Sequence, residues 1–203
     1  MTAPFPKDLV LHAEQVLAAL RAKGFMLAAA ESCTGGLITA ALTTVAGSSA
    51  GVDRGFVTYS NEAKTQMLGV PEDMLAAHGA VSAEVAQAMA EGALNNSQAA
   101  IAISVTGIAG PEGGSPDKPV GLVFMACALA DGPVVVRRHI FAGNRNDIRH
   151  ATVNGAFDMI LRTLEDEAAH SAPGLALDPE PGKSRKTEDD EAPDPAAPAP
   201  EKP

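Results

Sequence analysis

The residues that invite a chemical reading first are Ala30-Glu31-Ser32-Cys33-Thr34-Gly35-Gly36, which follow directly on the apolar run Phe25 to Ala30. A strand that ends in small polar residues and turns sharply into a helix leaves the first N–H groups of that helix without intrahelical partners, beside whatever side chain stands at the turn. If Ser32 attacks a carbonyl there, the same N–H groups can hold the developing oxyanion. Taken alone, the segment is equally compatible with Ser32 or Thr34 capping the helix and with glycines that serve only a tight turn.

A serine hydroxyl needs a base to act as a nucleophile at neutral pH. The five histidines, His12, His78, His139, His150 and His170, stand beside no glycine-rich or small polar segment that would mark an active site. Lys64 is the better partner. It lies in Tyr59-Ser60-Asn61-Glu62-Ala63-Lys64-Thr65, after an apolar run and so at a strand end, where open α/β sheets place their sites. A lysine acts as a base when desolvation or a neighbouring positive charge depresses its pKa. Tyr59, the one tyrosine of the chain, stands five residues before it, within reach to relay a proton or to hydrogen-bond the amine. The plain alternative is a solvated Lys64 paired with Glu62 or Glu72, and a Tyr59 that only packs.

Two further segments suit an anion. Ser104-Val105-Thr106-Gly107-Ile108-Ala109-Gly110-Pro111-Glu112-Gly113-Gly114 follows a strongly apolar strand, and its glycines let backbone N–H groups approach a ligand closely, with the Thr106 hydroxyl beside them. It lacks the Gly-Lys-Ser/Thr ending of a phosphate-binding P-loop, and no helical pattern follows it as in a dinucleotide fold. In Gly143-Asn144-Arg145-Asn146-Asp147-Ile148-Arg149 the two arginines share one helical face, and a first-turn arginine near free N–H groups suits a phosphate. An ordinary loop and ordinary surface arginines would have the same composition.

The elements that must carry these residues alternate between helical and strand periods. Val10, Ala13, Leu17 and Leu20 line one face of a first helix that Gly24 ends, and Phe25 to Ala30 reads as a buried strand. Leu37 to Val45 follows as a helix and Gly55 to Tyr59 as a second strand. Ser82 caps a helix to Leu94 that turns Val85, Met89 and Ala93 inward. Ala99 to Val105 and Val120 to Ala130 are apolar strands, and Asp131-Gly132 turns the latter into Val134 to Phe141 as an antiparallel hairpin. A last helix over about 146–169 buries Val153, Phe157, Ile160 and Leu164. The pattern predicts an α/β fold, a three-layer α/β/α sandwich on a mixed sheet.

With 203 residues, 46% of them hydrophobic, the chain can bury one sizeable core, expected over residues 1–170. Residues 171–203 hold 8 of the 15 prolines and twice as many acidic as basic side chains, too little apolar surface to offset chain entropy, and are expected to be disordered. Asp8 and Glu14 interrupt the N-terminal apolar positions, so no secretion signal is expected, and no run reaches the roughly 18 apolar residues of a membrane span. Cys33 and Cys127 have no metal-ligand spacing and are too few for a disulfide framework, which fits a reducing cytoplasm. A formal net charge of −10 argues against nucleic-acid binding, though a small phosphorylated ligand needs only a local group of donors.

In this order the segments resemble the CinA C-terminal domain family, specifically its stand-alone nicotinamide-nucleotide amidohydrolases, over roughly Leu9 to Leu164. The likeness rests on the Ala30–Gly36 turn, Gly55 to Lys64, His78-Gly-Ala-Val-Ser-Ala-Glu84, Thr106 to Gly114 and Gly143 to Arg149. It implies an α/β/α fold, a dimer or higher homo-oligomer, and metal-free, cofactor-free hydrolysis of the carboxamide of nicotinamide mononucleotide. By the same resemblance Ser32 is the nucleophile, Lys64 its general base and Tyr59 an assisting catalytic residue, with Thr106 and Arg145 shaping the substrate site. Glu31, Thr34, Gly35 and Gly36 of the turn and Gly107 and Gly110 of the loop complete the expected substrate contacts. Larger members of the family carry a preceding domain similar to molybdopterin-binding proteins, and this chain is expected to be the short, amidase-only form. Two rival readings stand beside the amidase: the same mechanism on another amide, because pocket shape selects the substrate, and a non-catalytic competence-related binding module.

Overall fold

The computed structural model describes residues 5–171, and the acidic Pro-rich segment expected to be disordered lies outside them apart from Ser171, which ends the last helix. Helix α1 (Lys7–Lys23) stops where Gly24 takes a left-handed conformation and donates its N–H back to the last turn. It leads into β1 (Leu27–Glu31), α2 (Leu37–Thr43), β2 (Val52–Val57), α3 (Asn61–Leu68) and α4 (Glu72–His78). There follow α5 (Ala83–Asn95), β3 (Ile101–Gly107), β4 (Leu122–Leu129), β5 (Val134–Ile140) and α6 (Arg145–Ser171). The sheet order is β2-β1-β3-β4-β5, with β2, β1 and β3 parallel and the β4–β5 hairpin antiparallel at one side, so the expected mixed sheet is present.

Strand alternation divides the core into two layers of different bulk. On one face Leu27 and Ala29, Ile101, Ile103 and Val105, and Val123, Met125 and Cys127 pack against Leu17 and Leu20 of α1, Ile38 and Leu42 of α2, and Phe157 and Ile160 of α6. On the other face the strands present Ala28, Ala30, Ala102, Ala126 and Ala128, and these small residues let α5 lie close with Val85, Met89 and Ala93. The Ser104 hydroxyl on that face donates to the Ala86 carbonyl of α5 at 2.5 Å. Strand β2 differs from the sequence reading at both ends. It begins at Val52 because Val52 and the exposed Arg54 pair with Leu27 and Ala28 of β1 across a register shift that skips Asp53, and it stops before Ser60 caps α3. Helices α3 and α4 join β2 to α5 and carry Lys64 and His78. Among the described residues no helix is long and apolar enough to cross a membrane.

Candidate active site

Three parallel strands end side by side, and each delivers one wall of a single hollow. At the end of β1, Ser32 donates its N–H to Val105 of β3 at 3.1 Å, which anchors the residue to the sheet as the chain turns away. Gly35 (φ 61°) and Gly36 (φ 97°) then carry the chain through two left-handed residues into α2, a path that a Cβ would strain. At the end of β2, Thr58 donates its N–H to the Glu31 carbonyl at 2.8 Å, and the Ser60 hydroxyl caps α3 by accepting from Ala63 at 3.1 Å. The first full turn of α3 therefore points Lys64 back under the sheet end. Lys64 is 1% exposed, with its Nζ 3.1 Å from Ser32 Oγ and 2.9 Å from the Thr58 carbonyl.

The electrostatics of that pair follow from burial. Removal from water disfavours the ammonium and lowers the Lys64 pKa below its ordinary value, while the neighbouring Cys33 acts weakly the other way. None of the described ion pairs includes Lys64, so no carboxylate restores the charge. Cys33, next to the serine, has its thiol pushed up to about 12 by burial and stays protonated at neutral pH. Of the two adjacent candidates, the hydroxyl on the lysine is thus the one with a base. Desolvation, and not a neighbouring cation, is what depresses this lysine.

The hollow encloses about 300 Å³, with Ser32, Cys33 and Lys64 on its floor and Thr106, Gly107 and Gly110 along one side. Tyr59 and Arg145 stand at its rim. The Arg145 guanidinium, at the start of α6, donates to the Gly110 carbonyl at 2.7 Å and to the Tyr59 hydroxyl at 3.0 Å, so it spans the mouth between β2 and the glycine loop. Tyr59 is 62% exposed, and its expected bond to the Lys64 amine is not formed: the Thr58 carbonyl holds that amine, and the phenol belongs to Arg145. The Thr106 hydroxyl, expected to face a ligand, donates to the Ala80 carbonyl at 2.7 Å and ties the end of β3 to the α4–α5 turn.

Four expected ligand contacts are placed elsewhere. Glu31, Thr34, Gly35 and Gly36 do not line the hollow. The Glu31 carboxylate is fully buried beneath the turn and holds the start of α2, and the Thr34 carbonyl accepts from Arg149 at 2.8 Å. The arginines of one helical face thus divide, Arg145 to the rim and Arg149 to the back of the turn. Residues without an assigned role in the sequence reading complete the walls: Asn61, Ala80 and Val81, with Lys118 clamping the latter turn through the His78 and Val81 carbonyls at 2.7 and 2.8 Å. The stretch His78 to Glu84 contributes backbone shape, which residue types do not announce. A larger hollow of about 590 Å³ opens at the opposite end of the sheet among Phe25, Leu129 and Val135, without a hydroxyl–amine pair. Among the described residues no three His, Cys, Asp or Glu side chains are grouped as metal ligands.

Fold and site together define a mixed α/β protein with a buried Ser–Lys pair at the C-terminal ends of its parallel strands. Residues 10–164 match the sequence model of the CinA C-terminal domain, and the chain belongs to that family. It is similar to the nicotinamide-nucleotide amidohydrolase PncC of Escherichia coli K12, 54% identical over 142 residues that cover 70% of this chain and 86% of that protein. A CinA-like protein of Geobacter sulfurreducens is 55% identical over 71% of this chain but only 35% of its own length. Among solved structures, the competence/damage-inducible protein CihA of Agrobacterium tumefaciens superposes with a TM-score of 0.78 at 49% identity, over 81% of this chain and 99% of that one.

Proposed function

We propose that this protein hydrolyses the carboxamide of nicotinamide mononucleotide, giving nicotinate mononucleotide and ammonia, as a step of pyridine-nucleotide salvage. The observation that carries the reading is the 3.1 Å approach of Ser32 Oγ to a desolvated, unpaired Lys64 Nζ. The name of the E. coli relative supports the substrate. In the first half-reaction neutral Lys64 takes the hydroxyl proton as Ser32 Oγ bonds to the carboxamide carbon. Within the turn, the N–H of Cys33, a residue that lines the hollow, is bonded to no other described residue and is the donor free to hold the tetrahedral oxygen. Lys64 then returns the proton to the departing nitrogen, the C–N bond breaks, and ammonia leaves an acyl ester on Ser32. Water, deprotonated by the same amine, attacks that ester and restores the serine. Arg145 and Tyr59 at the rim are suited to the phosphate and ribose, with Thr106, Gly107 and Gly110 shaping the wall beside the ring.

The reading includes a homo-oligomer and, with both cysteines free and buried, a reducing cytoplasm. It is tested by incubating the purified protein with nicotinamide mononucleotide and measuring ammonia and nicotinate mononucleotide together, with nicotinamide, nicotinamide riboside and unrelated primary amides in parallel. Stoichiometric release of both products, lost when the phosphate is removed from the substrate, is the expected outcome. Faster turnover of an amide without the phosphate would transfer the same chemistry to a different substrate.

A further inference from the structure

Glu31 is the one fully buried acidic side chain next to the nucleophile, and it touches neither the hollow nor a cation. Its Oε2 accepts from the N–H groups of Gly36 at 2.9 Å and Ile38 at 3.0 Å, and its Oε1 accepts from the Thr39 N–H at 2.9 Å and the Thr39 hydroxyl at 2.8 Å. A carboxylate so placed is held by charge-assisted hydrogen bonds and by the positive end of the helix backbone. Room for the Thr39 hydroxyl comes from β2, where Gly55 stands opposite: a Cβ there would lie 2.3 Å from that oxygen. The Glu31 main-chain carbonyl accepts from the Thr58 N–H, and the Thr58 carbonyl holds the Lys64 amine.

We propose that Glu31 is a positioning residue that joins both halves of the Ser32–Lys64 pair, its side chain fixing the turn after Ser32 and its carbonyl fixing the segment that carries the Lys64 acceptor. The inference rests on the proposed role of that pair. Along Ser32–Thr39 every backbone N–H except those of Cys33 and Thr34 is bonded to another described residue, and three of these bonds end on Glu31. By occupying the start of α2, the carboxylate confines the open donors to the two residues that immediately follow the nucleophile. Its side chain does not line the hollow, so it governs where Ser32 points and leaves substrate affinity to the rim.

The test compares wild type with Glu31→Gln, which keeps the volume but replaces one acceptor oxygen by a donor amide aimed at N–H groups. Two readouts are taken: kcat and KM for nicotinamide mononucleotide, and the rate at which a fluorophosphonate labels Ser32, followed by mass spectrometry, as the P–O bond forms and fluoride leaves. Displacement of the nucleophile is expected to lower kcat and the labelling rate roughly 30-fold or more, with KM within about threefold of wild type. If Glu31→Gln does not fold, Thr39→Val removes a single one of the four bonds, and a fall in labelling of roughly 3- to 10-fold at unchanged KM is expected. Labelling at the wild-type rate in the folded variant overturns the proposal, as does a raised KM with kcat retained. If the wild type releases no ammonia, the substrate reading fails while the labelling comparison still decides the role of Glu31. A wild type that takes no label at Ser32 overturns the proposal together with the nucleophile.

Discussion

Two polar pairs meet in the same hollow under opposite conditions. Ser32 and Lys64 are 8% and 1% exposed and are held by the sheet end and the Thr58 carbonyl, whereas Tyr59 and Arg145 stand in solvent and hold each other. In the dry pair, loss of water lowers the lysine pKa and so favours the neutral amine beside the hydroxyl. In the wet pair, a guanidinium already bonded to a phenol and a carbonyl has donors that an incoming anion can exchange for. On the proposed function, reaction and recognition would be separated by depth within about 300 Å³.

The strongest way to break that division is at the floor. Ser32→Ala is expected to lower kcat by about 10⁴-fold or more, since among the described residues lining the hollow the other nucleophile, the Cys33 thiol, stays protonated; ammonia release measures it. Release that survives the change would move the chemistry elsewhere. Lys64→Met should cost about 10³-fold in kcat while raising stability by about 1 kcal/mol, seen as a Tm higher by about 3 °C, because a buried amine is exchanged for an apolar side chain of similar length. A gain of stability with loss of activity would mark the floor as strained for function.

The pH profile sharpens the same contrast. Lys64 must be neutral to act, and its pKa is depressed, so kcat/KM should rise with pH through that lowered value and level off below the ordinary lysine range near 10.5. The stability contribution has the same sign: the unfolded chain binds this proton more readily, so stability from this group increases as pH rises towards 10.5 and is lost as pH falls through the folded-state value. A profile that turns over only near 10.5 would show a solvated base.

At the rim the effects should be smaller and should fall on KM. Arg145→Ala is expected to raise KM about 10- to 100-fold with kcat changed little, and Arg145→Lys should restore only part, because a single ammonium replaces a guanidinium that reaches two acceptors. Tyr59→Phe removes one exposed hydroxyl and should cost about threefold or less. A large fall in kcat for Tyr59→Phe would instead bring the phenol into the proton relay and join the rim to the floor.

Much of the fold was legible because its signals are local. Gly24 stops α1, Ser82 caps α5, the turn at Asp131-Gly132 closes the β4–β5 hairpin, and the inward positions of α5 and α6 follow a 3.6-residue period. Ser32 and Lys64 could be proposed as partners from their places after two apolar runs, but their approach could not be read, since 32 residues separate them and only parallel pairing of β1 and β2 brings their ends together. Three features had no sequence signal of their own. A backbone carbonyl, Thr58, holds the amine; Arg145 meets Tyr59 across 86 residues; and Glu31, read as a ligand contact, folds under the turn to hold α2. By itself the sequence determined which segments turn, which faces are apolar and which side chains have reactive chemistry, because these depend on neighbours along the chain. Tertiary structure alone decided which of those side chains lose their water, and a lysine becomes a base only where it does.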